Sequence, residues 1–125
     1  LESWSTGVCG FTTLHLDDLR KLPDRILSMM DEKDVGRMVN RIYADVGVGV
    51  LVRMRKGKDG SIERFIDQLC FSGREEEENQ IYMLVENGVQ ISEELPEEIK
   101  RKFSRAGIRN PFYCERMEEY IACGK

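Results

Sequence analysis

The spacing of hydrophobic residues changes period several times along the chain, and each change predicts an element. Gly10-Phe11-Thr12-Thr13-Leu14-His15-Leu16 is β-branched and aromatic, flanked by glycines before it and by Asp17-Asp18 after it, which predicts a short strand. Asp17 or Asp18 can accept a bond from a free backbone N–H and so open a helix. That helix carries Leu19, Leu22, Ile26, Leu27, Met29 and Met30 at spacings of three and four, with a kink or restart at Pro23. A second helix, about Asp34–Tyr43, places Val35, Met38, Val39 and Ile42 on one face.

The period then drops to two. Val46, Val48, Val50, Val52 and Met54 point one way, while Gly47, Gly49, Leu51, Arg53 and Arg55 point the other. The glycines leave that second face bare, which suits close approach of a neighbouring backbone or helix. Lys56-Gly57-Lys58-Asp59-Gly60 is a turn, because Asp-Gly tolerates positive φ, and a return strand over about Ser61–Phe71 completes an antiparallel hairpin. Arg74 and the run Glu75–Glu78 read as a solvated, self-repelling loop. A strand over Gln80–Val85 follows and turns at Asn87-Gly88. Pro96–Ala106 reads as a helix with Ile99, Phe103 and Ala106 inward and Gly107 as its left-handed stop. Asn110-Pro111 opens a last helix carrying Phe112, Met117, Tyr120 and Ile121.

Composition narrows the function classes. The chain has 125 residues, 41% hydrophobic and 34% charged, with 19 Lys+Arg against 23 Asp+Glu for a net charge of −4. That length supports one core and one domain over 1–125, with 1–71 as sheet edge, helices and hairpin and 79–125 as strand and C-terminal helices. No apolar run reaches the 18 residues a membrane span requires, and no leader-like segment opens the chain. The acidic balance argues against direct nucleic-acid binding, which needs surplus positive charge. A start at Leu1 in place of Met reads as a piece of something longer.

Cys9, Cys70, Cys114 and Cys123 contain no C-x-x-C pair, and His15 is the sole histidine, so neither a zinc site nor a disulfide framework fits the spacing. Free thiols in a reducing cytoplasm are the reading that remains.

The one compact group of reactive types runs from Ser5-Thr6-Gly7 to Thr12-Thr13-Leu14-His15, at the end of the predicted strand and just before a helix. Ligands bind at such edges in open α/β sheets, and an imidazole there can donate to a phosphate oxygen. A capped or core-satisfied histidine is the structural alternative. Ser5, His15 and Asp17 supply the types of a hydrolytic triad, but no G-x-S-x-G elbow presents the serine. Arg53, Arg55, Lys56 and Lys58 form a basic hairpin tip. Lys100, Arg101, Lys102, Arg105 and Arg109 form a basic helix end, able to meet acidic lipid or a partner's carboxylates, or simply to be a solvated face. No lysine precedes Ser or Thr, so the chain has no phosphate-binding loop of the Gly-x-x-x-x-Gly-Lys-Ser/Thr kind.

The order of motifs resembles the C-terminal part of the motor domain in type II/type IV secretion ATPases, in the Tad-pilus and conjugation branch. Ser5-Thr6-Gly7 and Thr12-Thr13-Leu14-His15 resemble their histidine box, and Arg25-Ile26 the helix after it. Asp59-Gly60-Ser61-Ile62-Glu63-Arg64 resembles their D-G-S-x-R hairpin. Phe103 to Arg109 with Glu115-Arg116-Met117 is similar to their closing segment. Val8 stands where the box has its first histidine.

The resemblance implies an α/β fold, a partial RecA-like P-loop NTPase domain with an antiparallel hairpin and C-terminal helices. It also implies a hexamer peripheral to the inner membrane in a secretion or pilus complex, coupling ATP hydrolysis to export or assembly. His15 would sense phosphate, and Thr6, Gly7 and Thr13 would line the nucleotide pocket. ATP and Mg²⁺ would belong to the whole motor, none to this piece, which would be inactive alone. The competing expectation is a non-enzymatic α/β module in which hairpin and helices bind a protein partner.

Overall fold

In a computed structural model, residues 10–30 and 34–113 are described. Helix α1 spans Leu22–Ser28, entered through a tight 3₁₀ turn at Leu19–Lys21, and α2 spans Val35–Asp45. Four strands follow: β1 Val48–Lys56, β2 Ile62–Glu75, β3 Glu78–Glu86 and β4 Val89–Gln90. Helix α3, Glu97–Arg105, comes last.

The strands lie in the order β1-β2-β3-β4, and every neighbouring pair is antiparallel. A RecA-like domain is built on parallel strands, which need crossover connections of about a dozen residues or more. Here the connections are residues 57–61, 76–77 and 87–88, all of hairpin length. The expected partial RecA-like P-loop architecture is therefore wrong, and with it fall the secretion-ATPase family resemblance and the motor function drawn from it. A hairpin does form at Asp59-Gly60, but Asp-Gly turns close antiparallel ribbons in unrelated folds.

Turn chemistry explains the meander. Gly60 takes φ +81°, and Asp59 accepts from the Ser61 N–H at 3.0 Å. Asn87 and Gly88 both take positive φ, 53° and 75°, the conformation a tight two-residue hairpin requires. The stretch Glu75–Glu78, expected to be a loop, is instead a second such hairpin. β2 and β3 pair out to Glu75↔Glu78, leaving only Glu76 and Glu77 to turn, both at positive φ. Cross-strand pairing overrode the self-repulsion of the acids.

The predicted first strand does not form. Residues 10–16 are non-helical and join no ladder among the described residues. The helix after them begins as expected at Asp18, whose carboxylate accepts from the Arg20 N–H at 3.0 Å, and restarts with Pro23 in its first turn. α2 is capped by Asp34, which accepts from the Arg37 N–H at 3.1 Å.

Helices cover both faces of the sheet. On one, Met38, Ile42 and Val46 pack with Leu22, Ile26, Leu27 and Met30. Asn40 and Asn79 join α2 to β3 at 2.8 Å. On the other, Phe71, Leu84 and Leu95 form a cluster joined by Leu69, Ile99, Phe103 and Phe112. The Phe71 and Phe112 rings meet edge-on at 5.7 Å, a favoured aromatic geometry. α3 ends as predicted, with Gly107 at φ +70°, although Ala106 is exposed and not inward. The last predicted helix lies outside the described residues beyond Tyr113.

Candidate docking surface

Residues opposite one another in an antiparallel pair share a face. The register Val48↔Phe71, Val50↔Leu69, Val52↔Ile66, Met54↔Arg64 and Lys56↔Ile62 therefore puts these side chains together. Gly49, Leu51, Arg53 and Arg55 share the reverse face with Cys70, Gln68, Phe65 and Glu63.

The glycine side is the covered one. A Cβ on Gly49 would lie 3.1 Å from Cys70 Sγ and 3.2 Å from Leu19 Cδ2, so the absent side chain is what admits Leu19. Leu19 is fixed by its N–H, which donates to Gln68 Oε1 at 2.8 Å. Burial in this contact pushes the Cys70 thiol up to about 11, partly opposed by a bond from the Gly49 backbone and by the Arg20 charge. Farther along, Arg53 donates from Nε to Asp67 at 2.8 Å and from Nη2 to the Asp17 carbonyl at 2.6 Å. Arg55 pairs with Glu63 at 3.2 Å and stands 4.6 Å from the centre of the Phe65 ring.

The valine side is open. α3 and Phe112 cover Phe71, but Val48, Val50, Val52, Met54, Ile62 and Ile66 are 47–65% exposed. Six aliphatic side chains on one face of a two-stranded ribbon make a contiguous apolar patch, which monomeric proteins rarely present without a use. Lys56 and Arg64 rim it, with no hydrogen bond or ion pair among the described residues.

Among the described residues β1 is also an edge strand. A cleft of about 860 Å³ adjoins it, lined by residues 46–52 on one side and by residues 10–16 on the other, with Lys102 also in its lining. No described group bonds to the outward-facing N–H and C=O groups of β1.

Thr13 and His15 lie on the far wall of this cleft, both exposed, and His15 has no hydrogen bond or ion pair among the described residues. They do not stand at the C-terminal end of a parallel strand. Thr6, Gly7, Ser5 and Val8 lie outside the described residues, as do Cys9, Cys114 and Cys123. Among the described residues no three His, Cys, Asp or Glu side chains are placed to hold a metal ion. No described helix is long and apolar enough to cross a membrane.

Sequence reasoning found the valine alternation but not its exposure. The signal was the bare glycine face: the side with room for close packing is the side that gets covered. Comparison with known proteins finds no matching family model, no matching curated protein and no matching solved structure.

Proposed function

We propose that this chain is a non-enzymatic α/β interaction module that binds a protein partner through the β1–β2 hairpin. The observation that carries this reading is the open valine face, with Val48, Val50, Val52 and Met54 about half exposed or more beside a free strand edge. Burying such side chains is favourable by about 25 cal/mol per Å², so the face gains from any partner that covers it. The geometry offers less to catalysis. The cleft holds a single imidazole with no neighbouring acid bonded to it among the described residues, and general acid–base work needs a positioned pair or a substrate-aligned proton path.

A photo-reactive residue at position 52 tests this in a lysate of the source cells, with one at the exposed Arg101 of α3 as control. The module reading expects a discrete adduct from position 52 only, competed away by excess wild-type chain and not by a Val50→Thr, Val52→Thr double variant. Equal labelling from both positions, or adducts indifferent to the competitor, contradicts it.

A further inference from the structure

Resting on the module reading, we propose that the partner supplies an extended strand that pairs with the outer edge of β1, lying along Val48–Val52 in the cleft flanked by residues 10–16 and continuing beyond it, with apolar side chains on the valine side and carboxylates opposite Arg53 and Arg55. Edge strands expose unpaired backbone groups and invite another strand unless something blocks them. Proline, a bulge or a covering loop are the usual blocks. β1 holds no proline, and the irregularity between Leu51 and Val52 leaves the alternation of its side chains intact. Its nine residues span roughly 27 Å, enough for a partner strand of ordinary length.

The neighbouring space is shaped for the same occupant. The cleft is lined by residues 46–52, which include Val48–Val52 of β1, so it follows the first half of that edge. Its opposite wall, residues 10–16, has no ladder partner among the described residues and is rich in β-forming types. An inserted strand would find backbone groups on one flank and β-compatible side chains on the other.

Charge complementarity sets the partner's chemistry. Successive β1 side chains alternate between an apolar series, Val48, Val50, Val52 and Met54, and a series ending in Arg53 and Arg55. Both guanidiniums are partly exposed, with only Nε and Nη2 of Arg53 and Nε of Arg55 occupied, so N–H donors remain on each. A residue directly opposite in an added strand lies about 5 Å away, Cβ to Cβ, within reach of such a donor. An aliphatic residue at the alternate positions would extend the valine patch, and an acidic one would meet the arginines. Strand addition of this kind takes affinity from main-chain bonds and specificity from the alternating side chains.

The test uses the 125-residue chain and a capped seven-residue peptide alternating valine with glutamate and threonine, followed by amide chemical shifts. Saturable shifts confined to residues 48–56 and 10–16 are expected, at least tenfold weaker when lysine replaces glutamate. Arg55→Glu should invert that preference; this side chain is exposed, so the variant keeps its fold. N-methylation of one alternate set of peptide residues should abolish binding, while methylation of the other set is tolerated, because a strand offers only one edge to β1.

No binding of the glutamate peptide up to millimolar concentration overturns the proposal, as does equal sensitivity to both methylation patterns or indifference to Arg55→Glu. Cross-linking from position 52 is independent of these outcomes. A competed adduct alongside a failed peptide would leave the module standing and remove strand addition alone.

Discussion

Replacing Gly49 by alanine probes the contact on which the covered face depends. The glycine does not occupy the left-handed region, so alanine adopts the same backbone without strain and the effect is steric. The new Cβ would meet Cys70 Sγ at 3.1 Å and the two methyls of Leu19 at 3.2 and 3.5 Å, where ordinary carbon contacts begin near about 3.5 Å. Neither neighbour retreats easily. Cys70 is 2% and Leu19 4% exposed, and Leu19 is held through its backbone by Gln68. Overpacking a filled core by a methylene or so costs about 1–3 kcal/mol, and loss of glycine's freedom in the unfolded chain returns about 0.4–1 kcal/mol. The net expectation is a loss of about 1–2 kcal/mol, read as a lower urea midpoint at unchanged slope. In the Gly49→Ala background, Cys70→Ala should cost about 1 kcal/mol less than it does alone, because it removes the clashing sulfur. A Gly49→Ala chain as stable as the parent, or additive behaviour in that cycle, would refute the packing described here.

Cys70 should resist alkylation at pH 8 in the native chain and react on unfolding, read by mass spectrometry of the labelled peptides. Its folded pKa, raised from 9.0 to about 11, means the unfolded chain releases this proton first, so stability falls as pH rises from about 9 to 11; Cys70→Ala should flatten that limb. Glu86 is held below the usual carboxylate range by the Arg20 guanidinium, which donates to it at 2.8 and 3.0 Å. Its contribution is present above about pH 4.3 and lost as pH falls through the lowered folded value. Glu86→Gln should shrink the acid-side loss of stability, and added salt should shrink it further in the parent. At the β2–β3 turn, Glu76 and Glu77 sit at φ 49° and 68° and carry adjacent negative charges. Replacing the pair with Asn-Gly should raise stability by about 1 kcal/mol in urea titrations, since that dipeptide favours the geometry.

Much of the meander was legible in the turn residues. Gly60 and Asn87-Gly88 take positive φ, and the alternation around them set two strands within a few residues. The acidic turn was not legible, because Glu-Glu is a poor choice at two left-handed positions and only the paired strands on either side impose it. The segment 10–16 has the composition of a strand, but a strand needs a partner in space, and composition carries no information about who is adjacent. The same gap misled the family resemblance. Strand direction, which decides between parallel and antiparallel sheets, is a property of connections and not of motifs. Of the predicted site, Thr13 and His15 came to the wall of a cleft, on a loop beside a sheet edge and not at the end of a parallel strand. The valine face escaped because alternation fixes which residues share a side and leaves open which side meets solvent.

Urea unfolding of a Val50→Thr, Val52→Thr variant tests the docking-surface account most directly. Threonine keeps the branched shape and strand propensity of valine and changes only polarity. Side chains 47% and 57% exposed should tolerate this with a summed change below about 1 kcal/mol. A loss of about 3 kcal/mol or more, the cost of placing two unsatisfied hydroxyls in a core, would show that the face is buried in the folded chain and is no docking surface.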